Sequence, residues 1–341
     1  MNISYSPAPF VNVIPLTLNT GKNLVLRLSI LIPVLNKLKN LEDTLVSILE
    51  NRPANCQFVV VLNEPYADPY QLRDEVCFVE ASRDADLIES INFGLASCHA
   101  PIIHILSCGL EVSPGWTDPV LPLFTDPAIA AVAPLVLQRR DRNKVISAGV
   151  GYRASGAARR VGFGKSPEQA SLEKEHFFGA DILAAFFRRS AWDAVNGLNP
   201  ALKGYLAGVD LALALHFAGF RCTSEPNCRI YAELDDAAGA DRLGGGRAAE
   251  RLFWTWASRM GWLQALSGHA LLMVEECLES VVRPAALINL CGRAWEALLF
   301  PMHKPTERKV ISPSSTFAHP IAPPHFAAKQ RRRSAAYADK Q

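Results

Sequence analysis

The chain has 341 residues, of which 49% are hydrophobic and 20% are charged, so it can bury a sizeable core. Its formal net charge of +2 is too small to predict binding to nucleic acid. Eight cysteines without a C-x-x-C pair indicate reduced thiols in a cytoplasmic protein and exclude a disulfide-stapled scaffold.

Composition divides the chain into four zones. Residues 1–27 are a lead-in with three prolines and without the basic start of a signal peptide. Residues 28–240 alternate apolar runs with helical patterns, and residues 241–303 are predicted to be helical. Residues 304–341 contain three consecutive arginines among Pro, Ser and Ala, which predicts a disordered basic tail, either solvated or attracted to an anionic membrane surface.

Five apolar runs in the second zone predict β-strands, at residues 28–34, 57–63, 75–81, 101–107 and 128–134. A helix with an apolar stripe and Asn40 as its cap is predicted between the first two, and another, with Ile88 and Ile91 on its stripe, between the third and fourth. Continuous apolar strands that alternate with amphipathic helices predict an α/β fold with a mostly parallel sheet covered on both faces.

Ligands of such sheets bind beyond the carboxyl ends of the strands. The sequence therefore predicts a site built from residues 33–36, 62–64 and 107–111.

Four blocks in this zone resemble family 2 glycosyltransferases, which have the GT-A fold. The blocks are SILIPVLNKLKNLEDTLVSIL, VVVLNEPYADP, INFGLASCHAPIIHILSCGLEVSPGW and the segment from FFGADILAAFFRRSAW to AGFRC. They follow the family's order and spacing over about 60% of the chain, and they are most similar to its rhamnosyltransferase-like branch.

The resemblance implies transfer of a hexose from a nucleotide sugar, UDP- or dTDP-linked, to a glycan or a lipid-linked acceptor. Members of the family hold a divalent metal on a D-x-D motif, where it neutralises the diphosphate leaving group. They use the Asp of an E-D pair as the general base.

This chain departs from those motifs. The D-x-D window reads Ser107-Cys108-Gly109, the E-D pair reads Ala207-Gly208, and the base-binding Asp is replaced by Leu62 or Asn63. Hydroxyl, thiol and glycine are poor ligands for a hard cation, so we expect no metal cofactor.

The remaining site candidates carry two interpretations each. The nucleotide-sugar candidates are Pro33, Asn36, Leu62, Asn63, Ser107, Gly109 and Glu111. In the alternative interpretation, several of these residues only shape turns or pack against their neighbours. Asp210 is a weak candidate for the base, and its alternative role is to cap the helix that follows it.

Basic side chains can replace the charge of a metal at a diphosphate. The phosphate-binding candidates are Arg139, Arg140, Arg159 and Arg160, in a glycine-containing region that we predict to be a surface loop, either solvated or closing over the site.

The helical zone contains apolar residues at helical spacing, among them Phe253 and Trp256, and then Leu271, Val274 and Leu278. These residues predict packing on the α/β domain, a homo-oligomer, or peripheral contact with the inner face of a membrane.

Two functions stay open at this stage. One is an active, metal-independent sugar transferase, and the other is a binding or scaffold protein that keeps the transferase fold without turnover. A nucleotidyltransferase is disfavoured, because no glycine-rich basic phosphate loop follows the first strand.

Overall fold

The computed structural model describes residues 25–35, 38–173, 176–233 and 242–299. Its first half contains β1 (Leu28–Val34), α1 (Leu38–Glu50), β2 (Cys56–Leu62), β3 (Val76–Glu80), α2 (Leu87–Gly94), β4 (Ile102–Leu106), β5 (Leu110–Val112), β6 (Ile129–Gln138) and β7 (Val145–Ser147). The elements that follow are β8 (Val150–Tyr152), β9 (Ala158–Arg160), α3 (Pro167–Ser171), β10 (Ala184–Arg188), α4 (Arg189–Ala194), α5 (Tyr205–Phe217), β11 (Arg221–Ala232), α6 (Arg242–Ala257), α7 (Trp262–Val282) and α8 (Pro284–Leu299).

The main sheet has the strand order β3-β2-β1-β4-β10-β6-β11-β5, with β7 paired to β6. Strands β1 to β4 pair in parallel, as the apolar runs predict, and so do β6 and β11. Strand β10 runs antiparallel between β4 and β6. The α/β class is confirmed, and the antiparallel strand joins its two parallel parts.

Helices cover both faces of the sheet because alternate residues of each strand point to opposite sides. On β1, Leu31 packs in the core beneath α2, whereas Ile30 and Ile32 pack in the core beneath α1. Helix α5 is buried over nearly its whole length, from Leu206 to Leu215, as expected for a helix that is apolar on all sides.

Two local predictions were wrong. Helix α1 includes Leu38, so Asn40 lies inside the helix and does not cap it. Residues 139–165 do not form one long loop, because they contain β7, β8 and β9. Strands of three residues are too short to show a periodicity that sequence patterns could detect.

The C-terminal helices are held in place by both apolar and ionic contacts. Phe253 and Trp256 of α6 are buried, which confirms their predicted packing. Glu296 of α8, whose side chain is 1% exposed, accepts hydrogen bonds from Arg247 (3.1 Å) and Arg251 (2.7 Å) of α6. Within the described residues, no helix combines the length and apolar character needed to cross a membrane.

The first prediction concerns a close contact of α2. A Cβ at Gly94 would lie 2.3 Å from Cγ2 of Val61 and 2.6 Å from Cδ1 of Leu31. We expect Gly94→Ala to lower the free energy of unfolding by about 1–3 kcal/mol through overpacking. Gly245→Ala is the matched control, because its nearest neighbour would be 4.0 Å away and helix propensity favours Ala. Urea unfolding that shows equal effects for the two variants would contradict the packing described here.

The second prediction concerns pH. Burial acts to raise the pKa of Glu296, but the hydrogen bonds and charges of Arg251 and Arg247 outweigh it, so the pKa lies below its ordinary value of 4.5. The ionised carboxylate therefore stabilises the fold fully above pH 4.5, and this contribution is lost as the pH falls through the depressed pKa. We expect Glu296→Gln to cost about 1–3 kcal/mol at pH 7.

Urea unfolding from pH 7 down to pH 3.5 measures this difference. The difference in the free energy of unfolding between wild type and Glu296→Gln should shrink only below the ordinary carboxyl pKa of 4.5. A difference that stays constant to the lowest pH would show that the charge of Glu296 contributes nothing.

Candidate functional site

The candidate site lies at the edge of the sheet where β1, β2 and β4 have their carboxyl ends. After β4 the chain turns through residues 107–109, and Gly109 has the positive φ of 90° that favours glycine. The backbone N–H of Gly109 donates to Oγ1 of Thr44 on α1 at 2.8 Å. Residues 107–109, which the sequence analysis aligns with the D-x-D motif, are therefore fixed between the sheet and α1.

The start of β10 lies beside this window. The N–H of Ser107 donates to the carbonyl of Leu183 at 3.0 Å, and Ala184 pairs with Leu106. Gly208 of α5 packs against the same segment, since a Cβ there would lie 3.2 Å from the carbonyl oxygen of Ala180. The positions expected for metal and base thus both flank residues 180–183.

Asp181 lies in that segment, and the sequence analysis did not select it. Its carboxylate is 2% exposed and accepts hydrogen bonds from Nε of Arg160 (2.7 Å), from Oγ of Ser147 (2.9 Å) and from the N–H of Leu183 (3.1 Å). The available signal was a lone acidic residue between Gly179-Ala180 and an apolar strand. Asp181 therefore lies in the segment that Ser107 and Gly208 both contact.

Glu111 lies on the other side of the site, against α1. It forms an ion pair with Arg139, which also lies 3.6 Å from Asp43 of α1. Asp43 and Glu111 border a cavity of about 410 Å³, whose lining also includes Arg142 and Tyr231. The guanidinium of Arg142 stacks over the ring of Tyr231, with 4.5 Å between Cζ and the ring centroid.

The four arginine candidates occupy separate places and pair with different carboxylates. Arg139 contacts Glu111, and Arg160 contacts the buried Asp181. Arg140 pairs with Glu233 at 3.4 Å with its side chain 81% exposed, and Arg159 pairs with Glu173 at 3.7 Å. Exposed pairs of this kind contribute little to stability, so Arg140 and Arg159 can exchange their partners for a phosphate.

The remaining candidates on the donor side have mixed placements. Pro33 is buried in β1 opposite Val61, and Leu62 packs in the core with 3% exposure. Asn63 is 5% exposed at the end of β2, and Ser107 and Gly109 are half-buried. Asn36 lies outside the described residues.

Asp210 does not cap a helix, because α5 begins at Tyr205 and places it in the helix interior. Its carboxylate is fully buried and accepts a hydrogen bond from Nε1 of Trp256 on α6 at 2.8 Å. Trp256 stacks on Phe217 of α5 with 5.2 Å between ring centroids. Asp210 thus connects α5 to α6, and a side chain without exposed surface is poorly placed to meet an acceptor hydroxyl.

The side chains at the window do not fit a hard divalent metal. They offer a hydroxyl at Ser107, a thiol at Cys108 and no side chain at Gly109. The flanking carboxylates Glu111 and Asp181 are each bonded to an arginine. Within the described residues, no group of three or more His, Cys, Asp or Glu side chains could hold a metal ion.

Comparisons with known proteins agree with this architecture. Residues 29–194 match the family model described as glycosyl transferase family 2. A solved structure titled as the mannosyltransferase PcManGT from Pyrobaculum calidifontis in complex with GDP-Man and Mn²⁺ aligns with a TM-score of 0.53 at 13% identity. That alignment covers 80% of this chain and 87% of the other, and it confirms the GT-A fold.

A second structure is titled GalNAc-T7 with UDP, GalNAc and Mn²⁺ and aligns with a TM-score of 0.48 at 16% identity. The alignment covers 62% of this chain and 43% of that one. Among curated proteins, none matches this chain in sequence.

The third prediction tests the structural role of Asp210. Removing the indole N–H in Trp256→Phe leaves a buried carboxylate without one of its donors, so we expect a loss of about 1–3 kcal/mol in the free energy of unfolding. Trp262→Phe is the control, because Trp262 is 59% exposed and should change stability by less than about 0.5 kcal/mol. Equal stabilities of the two variants in urea would show that the bond to Asp210 is not a structural link.

Proposed function

We propose that this chain, whose residues 29–194 match the glycosyl transferase family 2 model, binds a nucleotide-linked sugar without a divalent metal and has lost most of that family's transfer activity. The observation that carries the proposal is the state of the carboxylates around the site. Glu111 and Asp181 are held by arginines, and Asp210 is buried against Trp256. None of the three is arranged as a metal ligand or as an exposed base.

The chemistry of the reaction explains why this matters. When a nucleotide sugar loses its sugar, negative charge develops on the diphosphate and needs an electrostatic partner. The acceptor hydroxyl needs a base, whose contribution is typically about 10²–10⁴-fold. With Ser107-Cys108-Gly109 and Ala207-Gly208 at the two motifs, both contributions are weakened together.

Binding of the donor is supported by the framework around the site. Strands β1, β2 and β4 retain the parallel register that aligns their carboxyl ends. Arg140 is highly exposed near this edge and is available to a diphosphate. The structural neighbour in complex with GDP-Man has the same fold, which supports a nucleoside diphosphate sugar as the ligand class. UDP- and dTDP-linked hexoses are the donors that the sequence resemblance favours, with a glycan or lipid-linked acceptor.

A second candidate function is slow, metal-independent transfer, and Asp181 is the observation that favours it. Asp181 and Arg160 form a buried ion pair beside Gly208, the position of the missing base. If a bound donor drew Arg160 onto its diphosphate and so uncovered Asp181, the carboxylate of Asp181 would accept the acceptor's proton as the acceptor oxygen bonds to the sugar and the nucleoside diphosphate leaves. This arrangement uses only groups of this chain.

The fourth prediction tests the donor binding that both functions require. In calorimetric titrations with UDP-, dTDP- and GDP-linked hexoses, we expect weak binding, with Kd on the order of 10⁻⁴–10⁻³ M. Mn²⁺ or EDTA should change Kd by less than about twofold, because no carboxylate pair is free to couple metal and diphosphate. Arg140→Gln should weaken binding several-fold. The control is Arg221→Gln, because Arg221 begins β11 at the opposite edge of the sheet.

The same preparations are assayed for donor hydrolysis and sugar transfer with and without EDTA. Absence of turnover together with metal-insensitive binding supports the impaired protein and leaves a binding or scaffold role. Turnover that persists in EDTA and disappears in Asp181→Asn establishes the metal-independent enzyme instead. Tight binding that Mn²⁺ strengthens overturns both proposals.

A further inference from the structure

Helix α7 has an unusual distribution of side chains. Only Ala265 and His269 are fully buried in its 21 residues. His269 lies on the inward side, where Nδ1 donates to the carbonyl of Ser155 (2.8 Å) and Nε2 lies 3.2 Å from Glu250 of α6. The helix therefore turns a hydrogen-bonded polar side chain toward the protein, the reverse of an ordinary surface helix.

The outward side of α7 is apolar. Leu271, Val274, Leu278 and Val281 are 61%, 55%, 66% and 81% exposed. Their spacings of three, four and three residues are those of the a and d positions of a coiled coil. At about 100° per residue, this stripe lies roughly opposite the buried side chains Ala265 and His269.

Helix α8 repeats the arrangement. Its inward side includes Arg293 and Glu296, which pair with Glu250 and with Arg251 of α6. Four outward residues again follow the spacing of three, four and three, and all are exposed: Ile288, Cys291, Trp295 and Leu298. Two consecutive helices thus bury charged or polar side chains and expose an apolar stripe.

The exposed area is too large for ordinary surface residues. At on the order of 100 Å² each, the eight side chains of the two stripes expose roughly 800 Å², about one partner's share of a standard protein interface. Monomeric proteins rarely expose a larger apolar patch than about 300–600 Å². Exposed apolar surface of this extent is typical of a contact site for a protein or a membrane.

Charge argues against an anionic membrane as that partner. Membrane-surface helices flank their apolar side with Lys and Arg. Helices α7 and α8 contain no Lys, Glu275 and Glu279 border the stripe of α7, and the exposed Arg283 is already paired with Glu279 at 3.0 Å. Residues 1–24 and 300–341 offer no apolar heptad of this length that is uninterrupted by proline.

We infer that α7 and α8 form a homodimer interface, in which the apolar stripes of one copy pack on those of a second copy. A heptad-spaced stripe fits another helix with the same spacing, and the chain presents two such helices side by side. The pairing of two helical hairpins would give a four-helix contact of the kind found in helix bundles. This inference is independent of the proposed function.

The fifth prediction tests the interface by analytical ultracentrifugation of the full chain. Wild type should sediment as a dimer at about 10 μM, where mass action favours association. The double variant Leu271→Glu/Leu278→Glu should raise the dimer Kd at least about 100-fold, because it removes two apolar contacts and introduces like charges. Leu172→Glu changes an equally exposed leucine outside these helices and should remain dimeric.

Both substituted leucines are exposed, so far-UV circular dichroism and the urea midpoint of the monomer should be unchanged, which separates lost association from lost folding. A wild type that remains monomeric at about 100 μM overturns the inference. So does a double variant that still dimerises. Flotation with neutral and with anionic vesicles serves as the alternative arm: binding by a monomeric wild type that the double variant loses assigns the stripe to lipid and also overturns the inference.

Discussion

The antiparallel strand β10 is the constraint on which the site depends. Because β10 runs against β4, its first residue, Ala184, lies beside the last residue of β4, Leu106. The segment before β10 is thereby brought to the carboxyl edge of the parallel strands, and the hydrogen bond from Ser107 to Leu183 fixes it there. Helix α5 then packs against the same segment through Gly208, which admits no larger side chain without displacing backbone. One strand direction places donor-side and acceptor-side residues together.

The electrostatics of this edge follow from that placement. A buried carboxylate such as Asp181 is stable only with donors that satisfy it, and Arg160, Ser147 and a backbone N–H provide them. Glu111 is satisfied in the same manner by Arg139. Such pairing makes the arginines poor free phosphate ligands and the carboxylates poor metal ligands. The candidate site therefore has charged groups, but Asp181 with Arg160 and Glu111 with Arg139 neutralise one another.

The sequence predicted the parts of the fold that have long patterns. Residues 28–34 are a strand as predicted, and the α/β class follows from such runs. The cap at Asn40 was wrong because the helix already includes Leu38. The prediction that Asp210 caps a helix was also wrong. Helix α5 is apolar on all sides, so its residue pattern does not indicate that it begins at Tyr205. Helix boundaries depend on backbone geometry more than on periodicity.

The central residue of the candidate site could not be predicted from local patterns. The carboxylate of Asp181 is held by hydrogen bonds from Ser147 and Arg160, which are 34 and 21 residues away and lie in three-residue strands. No spacing rule connects such positions, since tertiary packing alone brings them together. The windows at residues 107–109 and 207–208 could be selected from the sequence, because they lie within blocks whose flanking residues resemble the family's pattern.

The C-terminal helices show what a periodic pattern leaves open. Phe253 and Trp256 and the stripe that begins with Leu271 have the same helical spacing, yet the first pair is buried and the second set is exposed. The stripe of α7 is exposed because the opposite face of this helix is the one that packs on the protein. Helix α7 points His269 inward to Glu250 of α6, and the ion pair between Arg293 and Glu250 attaches α8 to α6 as well. Buried charges of this kind are specific in geometry, so they fix where the helices attach while leaving the leucines without a partner in the monomer. The inner side of α7 is thus specified by polar contacts within the described chain, whereas its outer apolar side is the surface that the inferred second copy would cover.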